Sequence, residues 1–406
     1  MGTPLIAAVR RGDAPAVREL LAAGADPDAV DEVGTPALCL AVDAFDLPTA
    51  EELAASARLD RVAPDGRTAL LRAVDRGAHD ITDLLIGRGA QMWHEDAEGR
   101  DALHLARHWH ETGAEAELRR RTGRPEPATR RTVWHDGWNT GELTLGGLTV
   151  RTGHTAVLTS LEPSYGITPP FAELLDRALA EPDVGHEVWW ATTYALQRRS
   201  APGVWDAAAA LRDDDDPLAR YFGAEVLYLV NLLDEDEDAP FDRPLVDLFL
   251  PWVAQEPDPR VVRTLTAGLR DALDARAARP LPALTRHREA AVRLVAVDGL
   301  RRTVAAGDTG ALAAVLDRLT DEDPAVRRTA CSALAAAPGS AGAVADALAG
   351  RLTDEDEAVR VEAAARLALR DDPRGDAILH GLRSVPGASP YEGLLLDVQQ
   401  HRERRH

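Results

Sequence analysis

The chain has 406 residues, 45% of them apolar and 28% charged, which suits a globular protein with room for two or three domains. All 46 basic residues are arginine, and the formal net charge is −21. Without lysine there is no Schiff-base residue and no P-loop lysine for a nucleotide phosphate. An acidic surface also repels nucleic acid and anionic membranes.

Alanine is abundant and aromatic residues make up only 4%, a bias that points to a GC-rich bacterial coding sequence. The two cysteines, Cys39 and Cys331, sit in Ala/Leu-rich surroundings and read as reduced core thiols. A cytoplasmic location is expected, because no disulfide framework, secretory leader or membrane-length apolar run is read in the sequence.

The N-terminal third repeats itself. Thr3-Pro4-Leu5, Pro36-Ala37-Leu38, Thr68-Ala69-Leu70 and Asp101-Ala102-Leu103 recur at spacings of 33, 32 and 33. Leucine pairs follow at Leu20-Leu21 and Leu84-Leu85, and glycines close those units at Gly24 and Gly89. Thr or Asp is placed to cap a first helix, and glycine to end a second one. This pattern resembles the ankyrin repeat over about residues 1–120. The second copy lacks the closing Gly-Ala-Asp and is expected to be distorted. The fourth loses its consensus after His108 and reads as a terminal cap.

Residues 121–169 match no repeat. Arg121–Arg131 reads as a linker. Leu143, Leu145, Leu148 and Val150 flank Gly146-Gly147, the signature of a β-hairpin. Thr155–Thr159 is expected to add a third strand. The element is read as a cover for the next repeat stack, with a ligand-contacting insertion as the alternative.

A second repeat runs from about residue 170 to 388. Its clearest copies are Asp321-Glu322-Asp323-Pro324-Ala325-Val326-Arg327 and Asp354-Glu355-Asp356-Glu357-Ala358-Val359-Arg360. The valine-equivalent positions are 188, 219, 261, 292, 326 and 359. Asp suits the N-cap, Pro the first helical position, and acids the positive helix end. The pattern resembles HEAT repeats, mostly the short phycobilisome-lyase-like type. Its arginine matches Arg220, Arg293, Arg327 and Arg360 but fails at Trp189 and Val262. Fork-shaped arginine pairs with the acidic turns of adjacent repeats are expected. A longer loop is expected at Asp234–Pro244.

The expected fold is therefore all-α: two α-solenoids joined by a linker with a small β-hairpin. The boundaries read as 1–122, 123–169, 170–388 and a C-terminal capping helix and tail at 389–406.

No catalytic constellation is legible: G-x-S-x-G, Gly-rich dinucleotide loops and H-E-x-x-H are absent. His104 and His108 have the spacing of a zinc pair without further ligands. His186-Glu187 resembles one iron-binding pair of the deoxyhypusine hydroxylase group, but the other repeats carry none. The acidic runs Asp213–Asp216 and Asp234–Asp238 lack the EF-hand spacing and read as solvated turns. No cofactor or metal is expected.

The reading that follows is a non-enzymatic scaffold or adaptor, a monomer that holds a protein or peptide, with a basic partner favoured by the acidic rims. Its candidate contact residues are Trp93, His94, Glu95 and Glu98 on an ankyrin fingertip, with Trp109 and Trp189. Trp93 carries most weight, because tryptophan is enriched at binding hot spots. Alternatives are a HEAT-like lyase or modification enzyme and, more remotely, a HEAT-like DNA-repair protein. The acidic character of the HEAT-like region speaks against the last.

Overall fold

The structure is a computed structural model and describes residues 3–135, 137–199, 202–233, 240–338, 342–383 and 390–404. The chain divides into two compact units, residues 1–200 and 201–406.

Four helix pairs open the first unit: α1 (Pro4–Arg11) with α2 (Ala14–Ala22), α3 (Ala37–Asp43) with α4 (Leu47–Ala54), α5 (Ala69–Asp75) with α6 (His79–Gly87), and α7 (Ala102–Thr112) with α8 (Ala114–Thr122). The repeat pattern sets where they start. The side chains of Thr3, Thr68 and Asp101 accept from the third N–H of α1, α5 and α7. At the second copy Pro36 takes that place and offers no side-chain bond. Leu5, Leu38, Leu70 and Leu103 are all buried, and the first helices stack in sequence. The second repeat keeps its helix pair. Its distortion is local: Phe45 takes φ 56° in the turn where the flanking repeats place Gly12 and Gly77. The Arg151 guanidinium, 4.5 Å over the Phe45 ring, holds that turn.

An antiparallel sheet follows: β1 (Thr129–His135), β2 (Trp138–Leu145) and β3 (Leu148–Arg151), in that order. Gly146 and Gly147, both at positive φ, form the expected hairpin turn between β2 and β3. Two expectations are corrected here. The third strand is β1, which starts within the segment read as linker and runs beyond it to His135. Its side chains are mostly exposed, so it shows no alternation in sequence. The segment Thr155–Thr159 belongs to a helix, α9 (His154–Leu161). Its Val157, Leu158 and Leu161 join the ankyrin core. A helix buried on several sides lacks a polar face, so a short one reads like a strand.

The sheet is bolted to the repeats. Arg151 donates to both Asp80 oxygens at 3.1 and 3.0 Å, and its N–H donates to the Arg76 carbonyl at 2.7 Å. Leu143, Leu145 and Val150 pack on Trp109 and Leu118. On its other side Asn139 N–H donates to the Gly185 carbonyl at 2.8 Å. The sheet thus meets the ankyrin turns as well as the turn before α11. Helices α10 (Phe171–Leu179) and α11 (Glu187–Gln197) complete the first unit.

The second unit holds α12 (Pro202–Ala210), α13 (Pro217–Leu232), α14 (Asp242–Val253), α15 (Pro259–Asp271), α16 (Leu281–Leu284), α17 (Ala290–Gly299), α18 (Arg301–Ala305), α19 (Thr309–Asp317), α20 (Pro324–Leu334), α21 (Gly342–Ala349), α22 (Glu357–Ala368), α23 (Asp376–Arg383) and α24 (Glu392–Glu403). Helices α13, α15, α17, α20 and α22 pack side by side in sequence. Asp216, Asp258, Asp323 and Asp356 cap four of them, and Pro sits at the first position of three. The stripe at Ala219, Val261, Val292, Val326 and Val359 is buried throughout. The long loop expected at Asp234–Pro244 falls partly outside the described residues, and the acidic run Asp234–Asp238 falls wholly outside them.

Three of the four repeat arginines form the expected forks, while Arg360 bonds only backbone carbonyls among the described residues. Arg293 Nε and Nη2 donate to Asp321 at 2.9 and 2.7 Å, and Arg327 does the same to Asp354 at 3.0 and 2.8 Å. Arg220 pairs with Glu256 at 3.0 and 2.9 Å. Each also donates through Nη1 to carbonyls of its own turn, as Arg360 does. Asp321 and Asp354 in turn accept from Asp323 and Asp356 N–H, which fixes the turns. Truncating one arginine strands a buried carboxylate and opens the turn. Arg327→Ala is expected to cost the second unit about 3 kcal/mol in denaturant unfolding. A loss under about 1 kcal/mol would reduce the fork to decoration.

Candidate functional site

The ankyrin fingers are braced one to the next. Asp28 accepts from Arg58 N–H at 2.9 Å, and Asp60 accepts from Gln91 N–H at 2.7 Å. The third finger carries Trp93 at the equivalent place. The indole is 62% exposed and leans on Tyr165, with ring centroids 6.0 Å apart. Tyr165 is itself tied down, its hydroxyl donating to the Met92 carbonyl at 2.6 Å.

Buried Asp96 keeps the finger rigid. It accepts from Glu98 and Arg100 N–H, each at 3.0 Å, and from the Arg100 guanidinium at 2.7 Å. Burial alone would raise its carboxyl, but Arg100 and these N–H groups hold it at about 2. Glu95 and Glu98 are exposed and His94 half-buried around the indole.

The other two candidate tryptophans lie inside the fold. Trp109 is 1% exposed, stacks on His154 at 4.3 Å and donates to Asp75 at 2.9 Å. Trp189 is 2% exposed and donates to the Glu181 carbonyl at 2.9 Å. A contact anchor needs exposure, so both residues serve packing in this chain. Trp189 also explains its departure from the repeat: its indole N–H reaches a turn carbonyl, as the arginines do elsewhere.

A pocket of about 600 Å³ lies in the first unit between α6, α9 and α11. Asp83 and Ile86 line it from α6, Ser160 from α9, and Trp190 and Tyr194 from α11. The turn that presents Tyr165 to Trp93 also supplies Pro163 and Ser164 to this pocket. Trp138, Trp190 and Tyr194 stack in a ladder with centroids 5.6 and 4.9 Å apart.

At the pocket, His79 Nε2 is 2.9 Å from Ser160 Oγ and 3.2 Å from Asp83, and Nδ1 is 3.6 Å from Glu187. The order serine–histidine–carboxylate is that of a hydrolase relay. Burial alone would lower the imidazole, but Glu187, Asp83 and Asp80 outweigh it and push His79 up to about 9. These side chains tie α6 to α9 and to α11. His79 and Ser160 escaped the sequence reading, and Glu187 was read only as part of the His186-Glu187 pair, because the three come from separate segments with no shared motif.

The remaining candidates fall to structural roles. His104 bonds Asp101 at 2.7 Å, and His108 lies 3.2 Å from Glu117. His186 meets Thr152 at 2.9 Å and caps α11. Among the described residues no group of three or more His, Cys, Asp or Glu is arranged to hold a metal ion. Asp216 of the first acidic run caps α13. Cys39 and Cys331 are free and buried, and burial pushes both thiols up to about 12.

Fold and surface together define a tandem α-solenoid repeat protein with a β-sheet insertion. The ankyrin-repeat family model matches residues 2–32, and the HEAT-repeats model matches residues 277–370. The chain therefore carries ankyrin repeats followed by HEAT repeats. No curated protein matches the sequence. Among solved structures, the X-ray structure of YibA of Escherichia coli is similar at 16% identity and a TM-score of 0.44, covering 59% of this chain and 88% of that one. Ankyrin and HEAT repeats are scaffolds capable of protein–protein interaction. No described helix is long and apolar enough to cross a membrane.

Proposed function

We propose that the protein is a non-enzymatic adaptor whose first unit grips a protein partner around Trp93. The observation that carries this reading is a large indole, 62% exposed, on a finger otherwise held rigid by Asp96. Preorganised aromatic anchors give affinity at low ordering cost. Glu95 and Glu98 beside it, and the overall charge of −21, favour a partner with basic residues flanking an apolar one. Free, buried thiols suit the cytoplasm.

The test is co-purification from the native host followed by binding to the recovered partner. Trp93→Ala is expected to weaken binding by about 2 kcal/mol, roughly thirtyfold, with the circular dichroism spectrum intact. Unchanged affinity in that variant would remove Trp93 from the contact surface.

A further inference from the structure

The sheet has two edges, and they are treated differently. In a two-residue hairpin the closing pair is hydrogen-bonded, here Leu145 with Leu148. Alternation then turns the outer groups of β3 at Thr149 and Arg151 away from β2. Both are used: the Thr149 carbonyl accepts from the Arg76 guanidinium at 2.8 Å, and Arg151 N–H donates to the Arg76 carbonyl at 2.7 Å.

The same alternation carried across β2 decides β1. Its register pairs Thr129 with Thr144, Arg131 with Glu142, Val133 with Thr140 and His135 with Trp138, and these are the positions that bond inward. Arg130, Thr132 and Trp134 present their N–H and C=O outward. Among the described residues no main-chain or side-chain hydrogen bond to these outer groups is made. Trp134 is 66% exposed, and Arg130 has no ion pair among the described residues.

We propose that β1 pairs with β1 of a second copy of this chain. An antiparallel pairing on a two-fold axis through Thr132 sets Thr132 opposite Thr132, and Arg130 opposite Trp134 of the second copy. All the outward residues then fall in hydrogen-bonded pairs at once. A one-residue shift would oppose outward groups to inward ones. Arginine on an edge strand ordinarily discourages pairing. Here the register brings each Arg130 onto an exposed indole, a cation–π contact made twice by symmetry. The tryptophans lose their exposure, and the two sheets become one.

An edge pairing of this length falls below the roughly 1,200–2,000 Å² of stable interfaces, so the dimer is concentration-dependent. Two acidic copies also repel through space, and salt screens that repulsion, so association strengthens as salt is raised.

Sedimentation velocity of the full chain over a wide concentration range tests this. A monomer–dimer equilibrium is expected. Thr132→Pro removes the central outward N–H while leaving every bond to β2, and is expected to abolish the dimer. If circular dichroism shows that the proline variant misfolds, Trp134→Ala takes its place, with an expected loss of about tenfold in dimer affinity. Thr132→Cys is expected to cross-link across the axis under mild oxidation, because facing residues of a hydrogen-bonded pair lie about 5.5 Å apart. The native thiols are buried and do not compete. Trp93→Ala leaves the dimer unchanged, which separates this inference from the partner surface. A chain that stays monomeric at every concentration, a dimer indifferent to Thr132→Pro or Trp134→Ala, or one that Thr132→Cys does not cross-link would overturn it.

Discussion

Gly77→Ala is expected to pry the ankyrin helices away from the sheet they carry. Gly77 sits between α5 and α6 at φ 64°, where an L side chain is strained by about 1–2 kcal/mol before any contact is counted. Contact is the larger part. A Cβ there would strike the Arg151 carbonyl oxygen, and it would lie 2.7 Å from the His154 ring. His154 is fully packed, and burial pushes its imidazole down to about 4, so it stays neutral against the neighbouring backbone. Neither neighbour is a flexible tip that could swing aside. Gly153 crosses at the same point, where a Cβ would meet Glu187 and the Gly77 carbonyl.

We expect Gly77→Ala to cost the first unit about 4 kcal/mol, or roughly 10 °C in its thermal midpoint. Gly24→Ala is the control. Gly24 also has positive φ, at 89°, but nothing lies within 4 Å of a Cβ there. Its loss should be about 1 kcal/mol. Equal losses in calorimetry of the two variants would mean that backbone strain, not the close crossing, sets the effect.

Asp75→Asn should be nearly as damaging, and should change the response to acid. Asp75 is buried at the end of α5. It accepts from Arg121 at 2.7 Å through both oxygens, from Arg67 at 2.7 Å and from the Trp109 indole at 2.9 Å. Burial alone would raise this carboxyl, but Arg121, Arg67 and Trp109 hold it far below the usual carboxylate range. The asparagine variant leaves two arginines facing a neutral amide. A loss of about 3–5 kcal/mol is expected on breaking such a pair.

The sign with pH follows from the depressed value. The stabilisation is fully present above the unfolded carboxyl value of about 4, and it is lost as pH falls through the folded one. Glu117 behaves alike: burial raises it, but Arg120, Arg121 and His108 prevail and hold it at about 2. The first unit should therefore lose stability steeply from about pH 4 downward. Asp75→Asn should flatten that slope. Denaturant titrations at stepped pH decide it: parallel profiles for the two proteins would discharge Asp75 from this role.

Much of the repeat architecture was legible in the sequence. Thr3, Thr68 and Asp101 announced the helix starts, and the valine stripe at 261, 292, 326 and 359 announced the buried face of the second helices. Even the arginine forks could be anticipated from Arg293 and Arg327 and the acidic turns one repeat later. The proposed contact surface was legible only in part. Trp93 stands out because it interrupts a finger pattern, and the structure leaves it exposed. Trp109 and Trp189 stood beside it as lesser candidates, yet both are buried, since nothing local distinguishes an indole facing solvent from one facing His154 or a turn carbonyl. Strand β1 was missed because an edge strand with exposed side chains carries no alternation. Helix α9 was missed because burial on several sides erases the polar face that marks a helix.

By itself the sequence determined what recurs: the repeat period, the caps, the stripe and the forks. These interactions join each repeat to the next at nearly constant separation, so a one-dimensional pattern encodes them. The tertiary structure alone decided what does not recur. Arg151 meets Asp80 across 71 residues, and His79 meets Ser160 across 81. Arg76 covers the outer edge of β3 across 73 residues. Such contacts depend on where the sheet docks on the ankyrin turns, a geometry set by packing at Gly77 and Gly153 that no spacing in the sequence records.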